Sequence, residues 1–335
     1  MRLLDALGSF MPQVVVKQSR SVIKGSSLPL NVRLTGIRGI AVLWVVLYHS
    51  NQYFTNSSWI PVVSAGYLGV PLFLMLSILL LLRSLDTKPD LKRYFMRRIK
   101  RIWPLYFISL ALVFVFFDSN HSGVLLLENA TFIGVWVHGI TTGYGYVFWT
   151  LQVEELAYLC YPLLIRLSLP GKRIVALGLL LASVSGFWLH TTQYFFLPLA
   201  TASFGWGILL YTGDVRRYGR RYLWVLVMLV AVWPDSRTGW DLGVLLLPGF
   251  AWLVANPPKV MEWWWVVAIG EMSYSIYLMH KLLIDRMGLL GYPVLLISVL
   301  IMEGKRLGRS LEVQKRRPRL LLDASSLPVS PNRRG

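Results

Sequence analysis

Charge is scarce in this chain, and acidic charge is the scarcest. Its 335 residues include 16 Asp or Glu against 34 Lys or Arg, with five His and a single Cys. The lone cysteine, Cys160, lies in an apolar segment, which excludes a disulfide framework and a cysteine cluster for a metal. Five histidines without close spacing leave no zinc site, so no metal is expected. What remains is apolar: 55% of residues are hydrophobic, 13% are aromatic and the mean hydropathy is +0.55, well beyond what a soluble domain of this length needs. The net charge of +18 raises nucleic acid as a partner, but the lysines and arginines cluster between long uncharged stretches. That is the charge pattern of membrane topology, so membrane lipids are the expected partner and nucleic acid is not.

Apolar runs long enough to cross about 30 Å of hydrocarbon fall near 33–54, 66–83, 102–118, 149–167, 173–190, 194–212, 222–234, 240–255, 264–281 and 288–303. The expected fold class is an all-α polytopic membrane bundle of about ten helices. The segments 51–66 and 118–150 carry no Lys or Arg, whereas Lys88–Arg101, Lys172–Arg173, Arg216–Arg221 and the tail from Lys305 are basic. Positive-inside asymmetry then puts both termini in the cytoplasm. Three regions follow: a basic N-terminal arm over 1–32, a membrane domain over 33–304, and a basic, disordered tail over 305–335. The broken apolar pieces of the arm do not form the h-region of a removed signal peptide. The aromatic, glycine-rich stretch from Glu128 to Tyr146 reads as an external loop that dips back into the protein.

Four segments place polar groups where lipid would not tolerate them. In LTGIRGIAVLWVVLYHS, Arg38 and His49 stand eleven residues apart, almost three helical turns, on one face and about 16 Å apart along the axis. Ionisable groups at such depth are functional by default, and a desolvated neutral imidazole suits general-base chemistry. A histidine bound to the loop at the outer interface is the equally weighted structural reading. In RYFMRRIKRIWPLYF, just before a helix, Arg98 and Arg101 are spaced i, i+3 and suit a phosphate grip, although topology alone also explains a basic cluster. In FWTLQVEELAYLCYPLL, Glu154 and Glu155 exceed what a helix dipole explains, and Glu154 is placed to orient a histidine or bind a hydroxyl. In GEMSYSIYLMHKLL, Ser273, Tyr274, Tyr277 and His280 form a polar stripe that faces a cavity, with Tyr277 also fitting a structural aromatic belt.

Together these segments resemble the acyltransferase-3 family of membrane O-acyltransferases over residues 33 to about 300. The resemblance rests on Arg38, Gly39 and His49; on GVPLFLMLS from Gly69 to Ser77; on Arg98, Arg101 and Pro104; on Trp149, Glu154, Tyr158 and Pro162; and on Ser273, Tyr274, Leu278 and His280. Three positions depart from the family pattern: Pro71, Ile78 where the family usually has Gly, and Ala157. The resemblance implies transfer of an acyl group, most simply acetyl, from cytoplasmic acyl-CoA to a hydroxyl of a cell-surface polysaccharide, O-antigen or lipid-linked glycan. Acyl-CoA is then a co-substrate, with no cofactor bound. It further implies His49 and Glu154 as catalytic residues and Arg38, Arg98 and Arg101 as the acyl-CoA site. Ser77, Trp149, Tyr158, Ser273, Tyr274 and His280 would line the substrate pocket. The type is the stand-alone one, in a bacterial cytoplasmic membrane. Transfer either directly or through an acyl-enzyme on Ser77 or a tyrosine is compatible with the motifs. The alternatives are a transporter of a glycan precursor or small anion, an acyltransferase acting on a small natural product, and a silent scaffold. A transporter would show an internal repeat, and none is evident.

Overall fold

Helices account for every regular element among the described residues of the computed structural model, which are 27–54, 61–87, 90–116, 122–139, 145–185, 194, 196–213, 243–301, 303, 304 and 308. In chain order, leaving aside the four-residue helix Pro61–Ser64 and short 3-10 turns, they are α1 (Ser27–Phe54), α2 (Gly69–Thr87), α3 (Leu91–Phe116), α4 (Gly123–Ala130), α5 (Gly134–His138) and α6 (Gly145–Arg166). There follow α7 (Leu169–Ser185), α8 (Leu197–Thr212), α9 (Leu247–Ala255), α10 (Trp264–Glu271) and α11 (Ser273–Met287), and then the apolar helix α12 (Gly291–Ile301). Three runs, Leu30–Ser50, Val62–Ser84 and Leu91–Phe116, are long and apolar enough to cross a membrane. The expected span 222–234, the N-terminal arm up to residue 26 and the tail beyond 308 lie outside the described residues.

Three elements differ from the sequence expectation, each for a local reason. Helix α3 begins at Leu91 instead of 102, so the basic cluster lies on the helix itself. Asp90 caps it, accepting from the Arg93 backbone N–H at 2.9 Å, and a carboxylate at that position satisfies an otherwise orphan donor. A search for uninterrupted apolar runs passes over such an amphipathic first half. The stretch expected as a re-entrant loop, Glu128 to Tyr146, holds the end of α4 and all of α5, and α4 itself is capped by Ser122, whose Oγ accepts from Leu125 N. These two short helices are pinned to α6 through Gln152, whose Oε1 accepts from Val135 N at 2.6 Å and whose Nε2 donates to Asn129 Oδ1 at 2.8 Å. The single span expected over 264–281 is two helices that meet at Met272, and the second runs on to Met287.

Helix α1 is the hub, packing against α2, α10 and α11. Its seam with α10 is made by backbones in direct contact: a Cβ on Gly39 would lie 2.3 Å from Val266 O, and one on Gly270 would lie 1.9 Å from Thr35 O. Small residues at such a crossing are what lets helices approach without a hydrophobic driving force. Ile78 on α2 is accommodated in the same way, because Gly207 on α8 faces it and a Cβ there would sit 2.0 Å from Ile78 Cγ2. One end of the α1–α10 seam carries the Arg33–Glu262 ion pair and the exposed Trp263 and Trp264, an aromatic and charged edge of the kind found at membrane interfaces.

Candidate active site

Helical periodicity alone brings three side chains of α6 onto one face, since Thr150, Glu154 and Tyr158 are spaced by four. Across from them stand Arg98 on α3, Arg38 on α1 and Tyr277 on α11. The resulting polar groups form two layers along α1.

The first layer is charged. Arg98 Nη1 donates to the Tyr158 hydroxyl at 3.0 Å, and Tyr158 in turn donates to Glu154 Oε1. The Arg98 guanidinium also lies 4.5 Å from the Tyr158 ring centroid and 5.9 Å from that of Tyr94, a geometry in which the ring faces favour the cation. Arg38 sits within electrostatic reach of Glu154, Tyr158 and Arg98, and its guanidinium lies 6.0 Å from the Phe73 ring centroid. Glu155 is within reach of Glu154 and Arg98. Two guanidiniums and two carboxyl groups therefore share one low-dielectric region, where a guanidinium without a nearby counter-charge would be costly.

The second layer is neutral and aromatic. Phe73 and Tyr277 connect it to the first, with ring centroids 6.1 Å apart. Thr150 Oγ1 donates to the Tyr277 hydroxyl at 2.9 Å. His280, fully buried, lies beside half-buried His49, with His280 Nε2 at 3.1 Å from His49 Nδ1. The Lys281–Asp285 ion pair, 2.9 Å long, lies within electrostatic reach of His49. Trp149 is buried against Phe196, with ring centroids 4.8 Å apart. It closes this layer together with Val42, Val45, Val70 and Leu74.

The expected site residues thus converge, but not always on the expected partners. Arg98 turns inward to Tyr158 and Tyr94, whereas Arg101 lies within electrostatic reach of Tyr274. Glu154 is engaged by Tyr158. The imidazole partner of His49 is His280, not a carboxylate. The stripe on α11 fans out to several neighbours: Tyr274 donates to Ile102 O on α3 at 2.7 Å, Tyr277 accepts from α6, and His280 meets α1. Ser273 is buried, and Ser77 is half-buried on α2 one turn beyond Phe73. Thr150 carries no expectation from the sequence, and Phe73 enters there only as the phenylalanine of the GVPLFLMLS segment, without a site role. The spacing of four from Thr150 through Glu154 to Tyr158 is the available signal for the first, and the phenylalanine of the GVPLFLMLS signature is the one for the second. No group of three metal-ligating side chains occurs among the described residues.

A family model described as an acyltransferase domain matches residues 31–302. The chain belongs to the acyltransferase-3 family. Among similar proteins, "Putative acetyltransferase ORF330" of Acidianus two-tailed virus is 34% identical over 311 residues, covering 84% of this chain and 92% of that relative. A "Putative O-acetyltransferase" of Staphylococcus aureus strain COL is 25% identical over 282 residues, 75% of this chain but 40% of the relative. The "Peptidoglycan O-acetyltransferase OatA" of Listeria monocytogenes is 25% identical over 179 residues, 44% of this chain and 28% of its own length. The chain therefore spans nearly all of the viral relative and about two fifths of the staphylococcal one. No solved structure matches it. As an acyltransferase-3 protein with three helices among its described residues long and apolar enough to span a bilayer, this is a membrane acyltransferase.

Proposed function

We propose that the protein is an O-acetyltransferase that moves an acetyl group from cytoplasmic acetyl-CoA to a hydroxyl of a cell-surface polysaccharide or lipid-linked glycan. Ten membrane helices with both termini in the cytoplasm form part of the same reading. The observation that carries it is the division of labour along α1: a guanidinium in a charged layer and, about three turns on, a half-buried imidazole in a neutral one. A charged layer suits an anionic donor and a neutral layer suits proton transfer.

The donor phosphates are drawn to Arg98, Arg101 and Arg38. A guanidinium has five N–H donors, and the Tyr158 hydroxyl occupies one of those of Arg98. The pantetheine arm then follows α1 past Phe73 toward His49, a path of about 16 Å. At its end the His49 imidazole takes the proton of the acceptor hydroxyl as the oxygen attacks the thioester carbon. The new C–O ester bond forms, the C–S bond breaks, and the thiolate of CoA leaves with the proton returned from His49 or from water. Glu154 supports the step from a distance by balancing Arg38 and Arg98. The names of the Listeria and Staphylococcus relatives support O-acetylation, and the Listeria name supports a glycan acceptor.

The test is transfer of label from radiolabelled acetyl-CoA to isolated cell envelopes by the purified protein in lipid. Transfer is expected with the unaltered chain and not with His49→Ala, and undiminished transfer by the variant overturns His49 as the base.

A further inference from the structure

Two carbonyl oxygens decide where the protons of the histidine pair sit. A carbonyl only accepts, so a ring nitrogen that faces one at hydrogen-bond distance must carry the hydrogen. His280 Nδ1 lies 2.6 Å from Tyr277 O, and His49 Nδ1 lies 3.0 Å from Val45 O. With its hydrogen on Nδ1, neutral His280 keeps its lone pair on Nε2, the atom 3.1 Å from His49 Nδ1. The one Nδ1 hydrogen of His49 is then shared between Val45 O and His280 Nε2, a three-centre bond of a common kind. The lone pair of His49 is left on its own Nε2. The reverse assignment, with His280 Nε2 donating, would turn a lone pair toward a carbonyl at both Nδ1 atoms. Both backbones reject it.

We propose that His280 is a positioning residue for acyl transfer: its Nε2 lone pair holds the Nδ1–H of His49 and so makes His49 Nε2 the nitrogen that receives the acceptor's proton. This rests on the reading of His49 as the base. When His49 takes up the proton at Nε2, its Nδ1–H bond to His280 becomes charge-assisted and about twice as strong, so the contact favours the transition state over the resting state. A carboxylate in this place would do the same at the expense of a negative charge within the bilayer. An imidazole supplies the acceptor without one. His280 is held for the purpose by burial at 0% exposure and by its own helix, through Tyr277 O.

The decisive measurement uses the unaltered chain. It has only five histidines, so 15N-imidazole spectra of the histidine-labelled protein in lipid nanodiscs can be assigned with single variants. Both His49 and His280 are expected to carry hydrogen on Nδ1 and none on Nε2, and a hydrogen on Nε2 of neutral His49 overturns the proposal. Kinetics with radiolabelled acetyl-CoA and cell envelopes add a second arm. His280→Met fills the volume without an acceptor and is expected to lower kcat by about 10- to 100-fold, the range seen when an orienting partner is lost, with KM for acetyl-CoA unchanged. His280→Gln, whose amide oxygen can accept from His49 Nδ1, is expected to recover most of that loss. Full kcat in His280→Met, or equal losses in the two variants, overturns the proposal. Activity retained in His49→Ala instead removes the reading of His49 as the base, so the two failures are distinguishable.

Discussion

The two layers along α1 solve different problems with different chemistry. Around Arg38 the structure gathers Arg98, Glu154 and Tyr158, with Arg98 linked to Glu154 through the Tyr158 hydroxyl and Arg38 within electrostatic reach of all three. Around His49, among the described residues, it places no charge at hydrogen-bond distance but a second imidazole and the Val45 carbonyl, with the Tyr277 carbonyl holding that second imidazole in turn. Charged groups at depth need counter-charge to exist at all, whereas a group that moves a proton needs direction. The comparison teaches that the same helix face can host both, because about 16 Å separates them and the aromatic pair Phe73–Tyr277 lies between.

The largest test of the contrast acts on the neutral layer. His49→Ala should reduce acetyl transfer by about 10²- to 10⁴-fold, the usual contribution of a general base, while leaving thermal stability in detergent nearly unchanged. A loss of stability equal to the loss of activity would dissolve the distinction between the layers. Removal of the counter-charge from the other layer, by Glu154→Ala, should do the opposite. It strands Arg38 and Arg98 in low dielectric and should destabilise the protein by about 3 kcal/mol, read as a lowered unfolding midpoint. If only turnover changed, Glu154 would belong to the chemistry instead.

The scaffold that holds both layers on one helix is tested at Gly270. A side chain there meets Thr35 O at 1.9 Å, so Gly270→Val should separate α10 from α1, cost about 2 to 3 kcal/mol and weaken both layers together. At Gly207, Ala should cost about 1 to 2 kcal/mol by collision with Ile78, and Ile78→Ala should relieve it. Additive losses in that double-mutant cycle would mean that the two residues do not share the space. The smallest effect is expected for Thr150→Val, which removes one neutral hydrogen bond to Tyr277 and should cost about 1 kcal/mol. A greater change in kcat than in stability would assign Tyr277 to the neutral layer's chemistry as well as to its packing.

Much of this site is legible without coordinates. Arg38 and His49 share a face because an α-helix of 3.6 residues per turn leaves no other option. The same periodicity aligns Tyr277 with His280 on α11 and Thr150 with Glu154 and Tyr158 on α6. The start of α3 was not legible from hydropathy, since Asp90 and a basic helical face replace the apolar run that marks other spans. The direction of Arg98 was not legible either. A basic cluster at a cytoplasmic edge points to phosphates or topology, and nothing local reveals that Tyr158, 60 residues later, receives its guanidinium.

The sequence by itself determined which residues are too costly to bury without a purpose and which of them lie on a common helix face, because helix geometry and the cost of desolvation act locally along the chain. The tertiary structure alone decided the partners. His49 meets His280 across 231 positions, and the protons of that pair are set by carbonyls whose directions exist only after α1 and α11 have packed. Pairing is a property of distance in space, and in this bundle that distance is set by glycines at the helix crossings, which have no chemistry of their own.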